Sequence, residues 1–129
     1  MRLLLDTHVV LSVINGRTAG LPPPIRKVLA DPNSEFYVSV ASLWEIAIKS
    51  RLGKLRLRGR LEVLPDIVSS GGIELIPINA HHVLATVDPE PPTRDPFDRL
   101  LLAQCSVEEL RFITVDRALI AHPLAAHAL

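Results

Sequence analysis

Residues 2–8 read Arg2-Leu3-Leu4-Leu5-Asp6-Thr7-His8. Three leucines run directly into a carboxylate, and an apolar helical stripe of Val9, Val10, Val13 and Ile14 follows at once. A short unbroken apolar run with a polar stop is the pattern of a parallel strand buried on both faces. Asp6 then falls at the carboxyl end of that strand, where open α/β sheets bind their ligands. The simpler role for Asp6 is to cap the next helix, because Asp is a favoured N-cap. The choice turns on whether other acids arrive at the same edge.

Outward from this stretch, the first helix ends near Asn15-Gly16, and Pro22-Pro23-Pro24 opens a short helix over 25–30. Residues 35–39, with Phe36, Tyr37 and Val38, predict a second strand, and 40–52 predict a long helix closed by Gly53. Residues 61–69 read as helical despite Pro65, and Gly71-Gly72 ends them. A third strand is predicted over 73–78. Asn79 caps a helix carrying Val83, Leu84 and Val87. After a proline-rich loop, 96–110 predict a helix, 112–115 a fourth strand and 116–121 a last turn or helix. Strands and helices alternate throughout, which implies an α/β fold with a mostly parallel sheet and helices on both faces.

The chain has 129 residues and is 48% apolar, which suits one domain over 1–129 with one core. Fourteen basic and fourteen acidic residues cancel, so any attraction to nucleic acid must come from a local patch. A single cysteine, Cys105, excludes an intramolecular disulfide and fits a reducing, cytoplasmic setting. Asp6 interrupts the apolar start too early for a signal peptide. No apolar run approaches the roughly 18 residues that would span a bilayer, so no membrane role is expected.

The acids fall at recurrent places. Asp6 follows strand one. Glu45 lies inside the helix after strand two. Asp95 and Asp98 open the helix before strand four, and Asp116 follows that strand. Each has a plain structural use. Ser42-Leu43-Trp44-Glu45 has capping-box spacing, although Ser39 is the more natural cap and would leave Glu45 free. Asp95-Pro96-Phe97-Asp98 is good helix-start chemistry, and it also sets two carboxylates three residues apart on one face. Asp116 is equally a candidate cap. Jointly they demand more. Carboxylates about 5 Å apart repel by roughly 3 kcal/mol per pair at an effective dielectric of 20. Four at one edge need a cation or protons. A hard divalent ion such as Mg²⁺ takes a few carboxylates and keeps several waters, the layout of metal-assisted phosphodiester hydrolysis.

The stretches Leu4-Leu5-Asp6-Thr7-His8, Ala41-Ser42-Leu43-Trp44-Glu45-Ile46-Ala47-Ile48-Lys49, Arg94-Asp95-Pro96-Phe97-Asp98-Arg99-Leu100-Leu101 and Ile113-Thr114-Val115-Asp116-Arg117-Ala118-Leu119 together resemble PIN domains. More narrowly, they resemble the VapC toxins of toxin–antitoxin pairs. The likeness spans nearly the whole chain, in order and spacing. It implies an α/β/α sandwich whose mostly parallel central sheet has about four to five strands. It also implies a Mg²⁺- or Mn²⁺-dependent endoribonuclease whose metal and catalytic residues are Asp6, Glu45, Asp98 and Asp116. Asp98 matches the third acid better than Asp95, since it directly precedes the apolar helix run. Asp95 and Thr114 are accessory by the same resemblance, supporting the site or orienting a water. The implied partners are an RNA substrate, a VapB-like antitoxin and a second copy of the chain. One departure is that relatives often carry histidine just before the Arg-Asp-Pro-Phe-Asp stretch, where this chain has Pro92-Thr93.

Lys49, Arg51, Lys54, Arg56, Arg58 and Arg60 form a run of six cations with no acid among them. It reads as a contact for the RNA backbone or an antitoxin tail, or as a solvated helix end favoured by the helix dipole. Leu52, Leu55 and Leu57 interleave with the charges. The five histidines show no zinc spacing. His8 is expected to be buried or to contact a helix end, and Trp44 to lie in the core or a dimer contact. Two other folds begin with an apolar strand and Asp. A haloacid-dehalogenase-like phosphatase needs a second Asp where His8 stands. A receiver-like domain needs paired acids near the first strand and a late lysine, and has neither here. The remaining alternative is a PIN-fold protein that binds RNA or a partner without cutting.

Overall fold

The computed structural model describes residues 1–57 and 59–126. Four strands, β1 Arg2–Leu5, β2 Glu35–Ser39, β3 Glu74–Ile76 and β4 Arg111–Ile113, pair in the order β3-β2-β1-β4. All three pairings are parallel. Residues 124–126 add a short parallel bridge outside β4, where Ala125 pairs with Phe112. The helices are α1 Thr7–Ile14, α2 Pro23–Leu29, α3 Val40–Arg51, α4 Leu64–Ser70, α5 Ala80–Leu84, α6 Pro96–Glu108 and α7 Arg117–Ile120.

The alternation of side chains along β1 explains the layering. Leu3 and Leu5 face one way, into a core with Val9, Val10, Val38, Ile46, Leu64, Val68 and Ile113. Leu4 faces the other way, into a core with Tyr37, Leu101, Leu102, Phe112 and Leu119. Both faces of the central strand are therefore dry, and all three leucines are fully buried. The α/β class predicted from the alternation, and the α/β/α sandwich that the resemblance implies, are what the chain adopts.

Topology fixes the position of the working edge. From β1 the chain moves outward through β2 to β3, then crosses back to place β4 on the other side of β1. That reversal opens a crevice between the carboxyl ends of β1 and β4, the usual ligand position in such sheets. Register sets Leu5 opposite Ile113, and the Asp6 amide donates to the Ile113 carbonyl at 2.9 Å. Asp6 and Thr114 are thus opposed just beyond the two strand ends.

Several boundaries differ from expectation. β3 is shorter than 73–78, and β4 ends before Thr114 and Val115. Glu109 adopts a left-handed backbone (φ 57°) and stops α6 two residues short of Leu110. The 61–69 segment begins with a 3-10 turn, Leu61–Val63, before α4. α5 is a single capped turn and a little more. Val87 lies beyond it and is buried, while Val83 and Leu84 are exposed. No helix among the described residues is long and apolar enough to cross a membrane.

Candidate metal centre

Asp6, Glu45, Asp95, Asp98 and Asp116 line one cavity of about 460 Å³, together with Thr7, His8, Leu11, Lys49, Lys54, Leu55 and Val115. Four separate elements supply the acids. Asp6 precedes α1, Glu45 lies on α3, Asp95 and Asp98 open α6, and Asp116 opens α7. A larger cavity of about 510 Å³ lies elsewhere, among Val13, Thr18, Ala19, Leu29, Phe36 and Ile73. Among the described residues Arg26 is the one charged side chain of its lining, so these offer no set of oxygen ligands.

Asp6 is the best-anchored acid. Its Oδ1 accepts the Thr7 amide at 2.7 Å, and its Oδ2 accepts the Thr114 hydroxyl at 2.6 Å. Thr114 Oγ1 also accepts the Asp116 amide at 3.0 Å, tying the β4 acid to the β1 acid. On the other side, the Thr7 hydroxyl donates to Ser42 Oγ at 2.9 Å, joining α1 to the helix that carries Glu45. Asp6, Thr7, Ser42, Glu45 and Thr114 are all buried. Burial pushes the Asp6 carboxyl above the usual carboxylate range, and the charges of Glu45 and Asp116 push the same way. The two hydrogen bonds to Asp6 oppose the shift without reversing it.

The capping questions resolve individually. Ser39 caps α3 by accepting the Ala41 amide at 3.0 Å, so Glu45 is free of that duty. Glu45 Oε2 instead receives the Lys49 ammonium at 2.7 Å. Asp95 caps α6 through the Phe97 amide at 2.8 Å. Asp98, one turn in, has its carboxyl raised to about 6, mainly by burial, with Asp95, Asp6 and Asp116 adding to it and the Thr93 hydroxyl opposing. Asp116 caps α7 through the Ala118 amide at 2.9 Å and still lines the cavity. Capping and convergence are thus compatible roles for the same carboxylates.

Among the described residues, no three acids, histidines or cysteines are drawn close enough to grip an ion as they stand. The carboxylates share a cavity and stay apart in it, as like charges do. That arrangement suits a hydrated ion, since Mg²⁺ takes one or two carboxylates directly and keeps several waters. Among the described residues the cavity offers five carboxylates and one imidazole, His8, and a donor set so dominated by oxygen fits a hard cation.

Some placements differ from the sequence reading. His8 is exposed and lines the cavity from the first turn of α1, so it is not buried. Thr7 takes the inward position toward Ser42, and the next residue turns by about 100° to the open side. Thr114 bonds directly to Asp6, a role beyond strand packing. Trp44 is 58% exposed and stands edge-on to Phe97 with ring centroids 5.5 Å apart, so it is not core. Of the basic run, Lys49 and Lys54 line the cavity, whereas Arg51 and Arg56 are exposed and do not. Arg60 pairs with Glu62 at 3.4 Å. Arg58 lies outside the described residues. The Thr7–Ser42 link is absent from the sequence reading. Its only signal is a hydroxyl beside Asp6 and another three residues before Glu45.

The family model described as PIN domain matches residues 3–123. No curated protein matches the sequence. Among solved structures, the chain is similar to one from the "Crystal structure of VapBC2 from Rickettsia felis bound to a DNA fragment from their promoter". The two share 17% identity with a TM-score of 0.65, over 99% of this chain and 98% of that one.

Proposed function

This chain belongs to the PIN domain family, and on that premise we propose that it is a Mg²⁺- or Mn²⁺-dependent endoribonuclease, the toxin of a toxin–antitoxin pair. The observation that supports this reading is the convergence of Asp6, Glu45, Asp98 and Asp116, from four elements, on one cavity at the carboxyl ends of β1 and β4. A structural cap needs no such meeting.

In this reading Asp6, Glu45, Asp98 and Asp116 hold the ion, and Asp95 supports them. Bound there, a divalent ion supplies neutralising charge at the scissile phosphate and a more acidic water. The chain's own groups do the rest. Thr114 and Thr7 fix both oxygens of Asp6, so its orientation costs little at the moment of reaction. The carboxylates orient the attacking water and accept its proton as it adds in line to phosphorus. The bond to the 3′ oxygen then breaks and that oxygen takes up a proton, returned by the protonated carboxyl or drawn from solvent, leaving a 5′-phosphate and a 3′-hydroxyl. Lys49 and Lys54, which line the same cavity, draw in the RNA backbone, with Arg51, Arg56 and Arg58 extending that attraction.

The partners follow by analogy with the Rickettsia felis VapBC2 structure, which pairs such a chain with a VapB protein. A VapB-like antitoxin would occupy the same cavity, in the cytoplasm. Exposed Val40, Trp44, Val83 and Leu84 offer apolar surface for a second copy.

The test is cleavage of single-stranded RNA by purified protein with Mn²⁺ or Mg²⁺, with EDTA, and with Asp6→Ala. Cleavage should require the ion and vanish in the variant. Equal cleavage by Asp6→Ala, or RNA binding with no ion-dependent cutting, would reject the nuclease reading.

A further inference from the structure

Lys49 stands one helical turn after Glu45 on α3, with its Nζ 2.7 Å from Glu45 Oε2. The two side chains are unequal, since Glu45's is 11% exposed and Lys49's is 50% exposed. The acid is held in place by the fold. The ammonium is not, because its flexible stem reaches water. Among the described residues, Lys49 is the one cation paired with a carboxylate of the acidic cavity.

The attraction does not come from Glu45 alone. The bond to Glu45 raises the Lys49 ammonium most, partial burial opposes, and the charges of Glu45, Asp95 and Asp6 add to the rise. Lys49 therefore sits in the field of acids from three elements, on the wall of the cavity an ion and RNA would both enter. A divalent ion and this ammonium compete for the same Glu45 oxygens. An ammonium released there has a phosphate as its next partner.

We propose that Lys49 is a tethered counter-ion that holds Glu45 until a divalent ion takes that carboxylate, and then turns to a phosphate of the incoming RNA. The proposal rests on the nuclease reading and makes Lys49 a positioning residue, acting through Glu45 and the substrate backbone. Two opposite effects follow from deleting its charge. Ion binding to the free protein tightens, and RNA binding to the loaded protein weakens.

The experiment measures Mn²⁺ binding without RNA by electron paramagnetic resonance of the free ion. It compares wild type, Lys49→Met and Lys49→Arg, with Lys49→Gln as a second neutral variant should Lys49→Met fail to fold. The neutral variant should bind Mn²⁺ about two- to fivefold more tightly, the worth of a partly exposed ion pair, and Lys49→Arg should match wild type. At saturating Mn²⁺, cleavage of a short single-stranded RNA should then show a raised KM for the neutral variant, a nearly unchanged kcat, and recovery of KM in Lys49→Arg. Mn²⁺ affinity that is unchanged or weaker in the neutral variant overturns the counter-ion role. Tighter Mn²⁺ binding with an unchanged KM overturns the phosphate contact. A wild type that binds no Mn²⁺ rejects the nuclease reading itself and this inference with it.

Discussion

Replacing Thr114 with valine keeps the shape of the side chain and removes the one hydroxyl that anchors Asp6 from behind the acidic cavity. That hydroxyl donates to Asp6 Oδ2 at 2.6 Å and accepts the Asp116 amide at 3.0 Å. A hydrogen bond to a charged group contributes about 1.5–3 kcal/mol, and a buried group left unpaired costs about 1–3 kcal/mol. Asp116 is exposed, so water replaces the partner of its amide cheaply, and the loss is chiefly that at Asp6. We expect Thr114→Val to destabilise the metal-free protein by about 2 kcal/mol at pH 7, a fall in Tm of roughly 6–10 °C for a domain of this size. The effect has a pH signature. Asp6 is raised in the folded state, so its ionisation costs stability as pH rises, and losing the Thr114 bond enlarges that cost. Urea denaturation in EDTA should therefore show a larger deficit at pH 7 than at pH 4, where a protonated Asp6 carboxyl needs the donor less. Thr114→Ser should recover most of the stability. A deficit below about 0.5 kcal/mol at pH 7, or one larger at pH 4, would refute the claim that Thr114 holds a buried charged carboxylate.

Further expectations concern separate parts of the molecule. Asp98 has its carboxyl raised to about 6, so protons should compete with the ion there. Apparent Mn²⁺ affinity should climb between about pH 5 and pH 7, and Asp98→Asn should flatten that climb in a direct titration. Leu4→Ala should cost about 2–5 kcal/mol by urea denaturation, because Leu4 is fully buried against Phe112 and Leu102. Lys54→Glu should weaken single-stranded RNA binding at low salt more than Arg51→Glu does, since only Lys54 lines the cavity. Equal losses in a fluorescence anisotropy titration would mean that the whole basic run acts as one diffuse patch.

Much of the candidate site was legible because each acid sits at a point the chain marks by other means. Asp6 ends an apolar run, Asp95-Pro96 starts a helix, and Asp116 follows a strand. Parallel topology then carries all of these ends to one edge. What could not be read were the cross-links between elements. The Thr114–Asp6 bond spans 108 positions and the Thr7–Ser42 bond spans 35, and no local pattern announces either. Hydroxyls next to acids are common, and only register shows which oxygen each one faces. The Glu45–Lys49 pair, an i, i+4 contact, went unread because Lys49 was counted only with the basic run. Its consequence for the cavity went unread too, because that depends on which face of α3 looks inward. The exposure of Val83 and Leu84, and that of Trp44, which sets aside a core position for it, could not be read for a related reason. Apolar character places a residue inside only where the layer has room, and α5 is too short to present a full stripe.

The cavity joins segments far apart in sequence, and this bears on when it can exist as the chain folds. Asp6 and the hydroxyl that anchors it are 108 positions apart. Contacts so distant in sequence form late, since the intervening loop must close first. A folding chain therefore carries Asp6 as an unanchored carboxylate until β4 docks beside β1. The acidic cavity is complete only after that step.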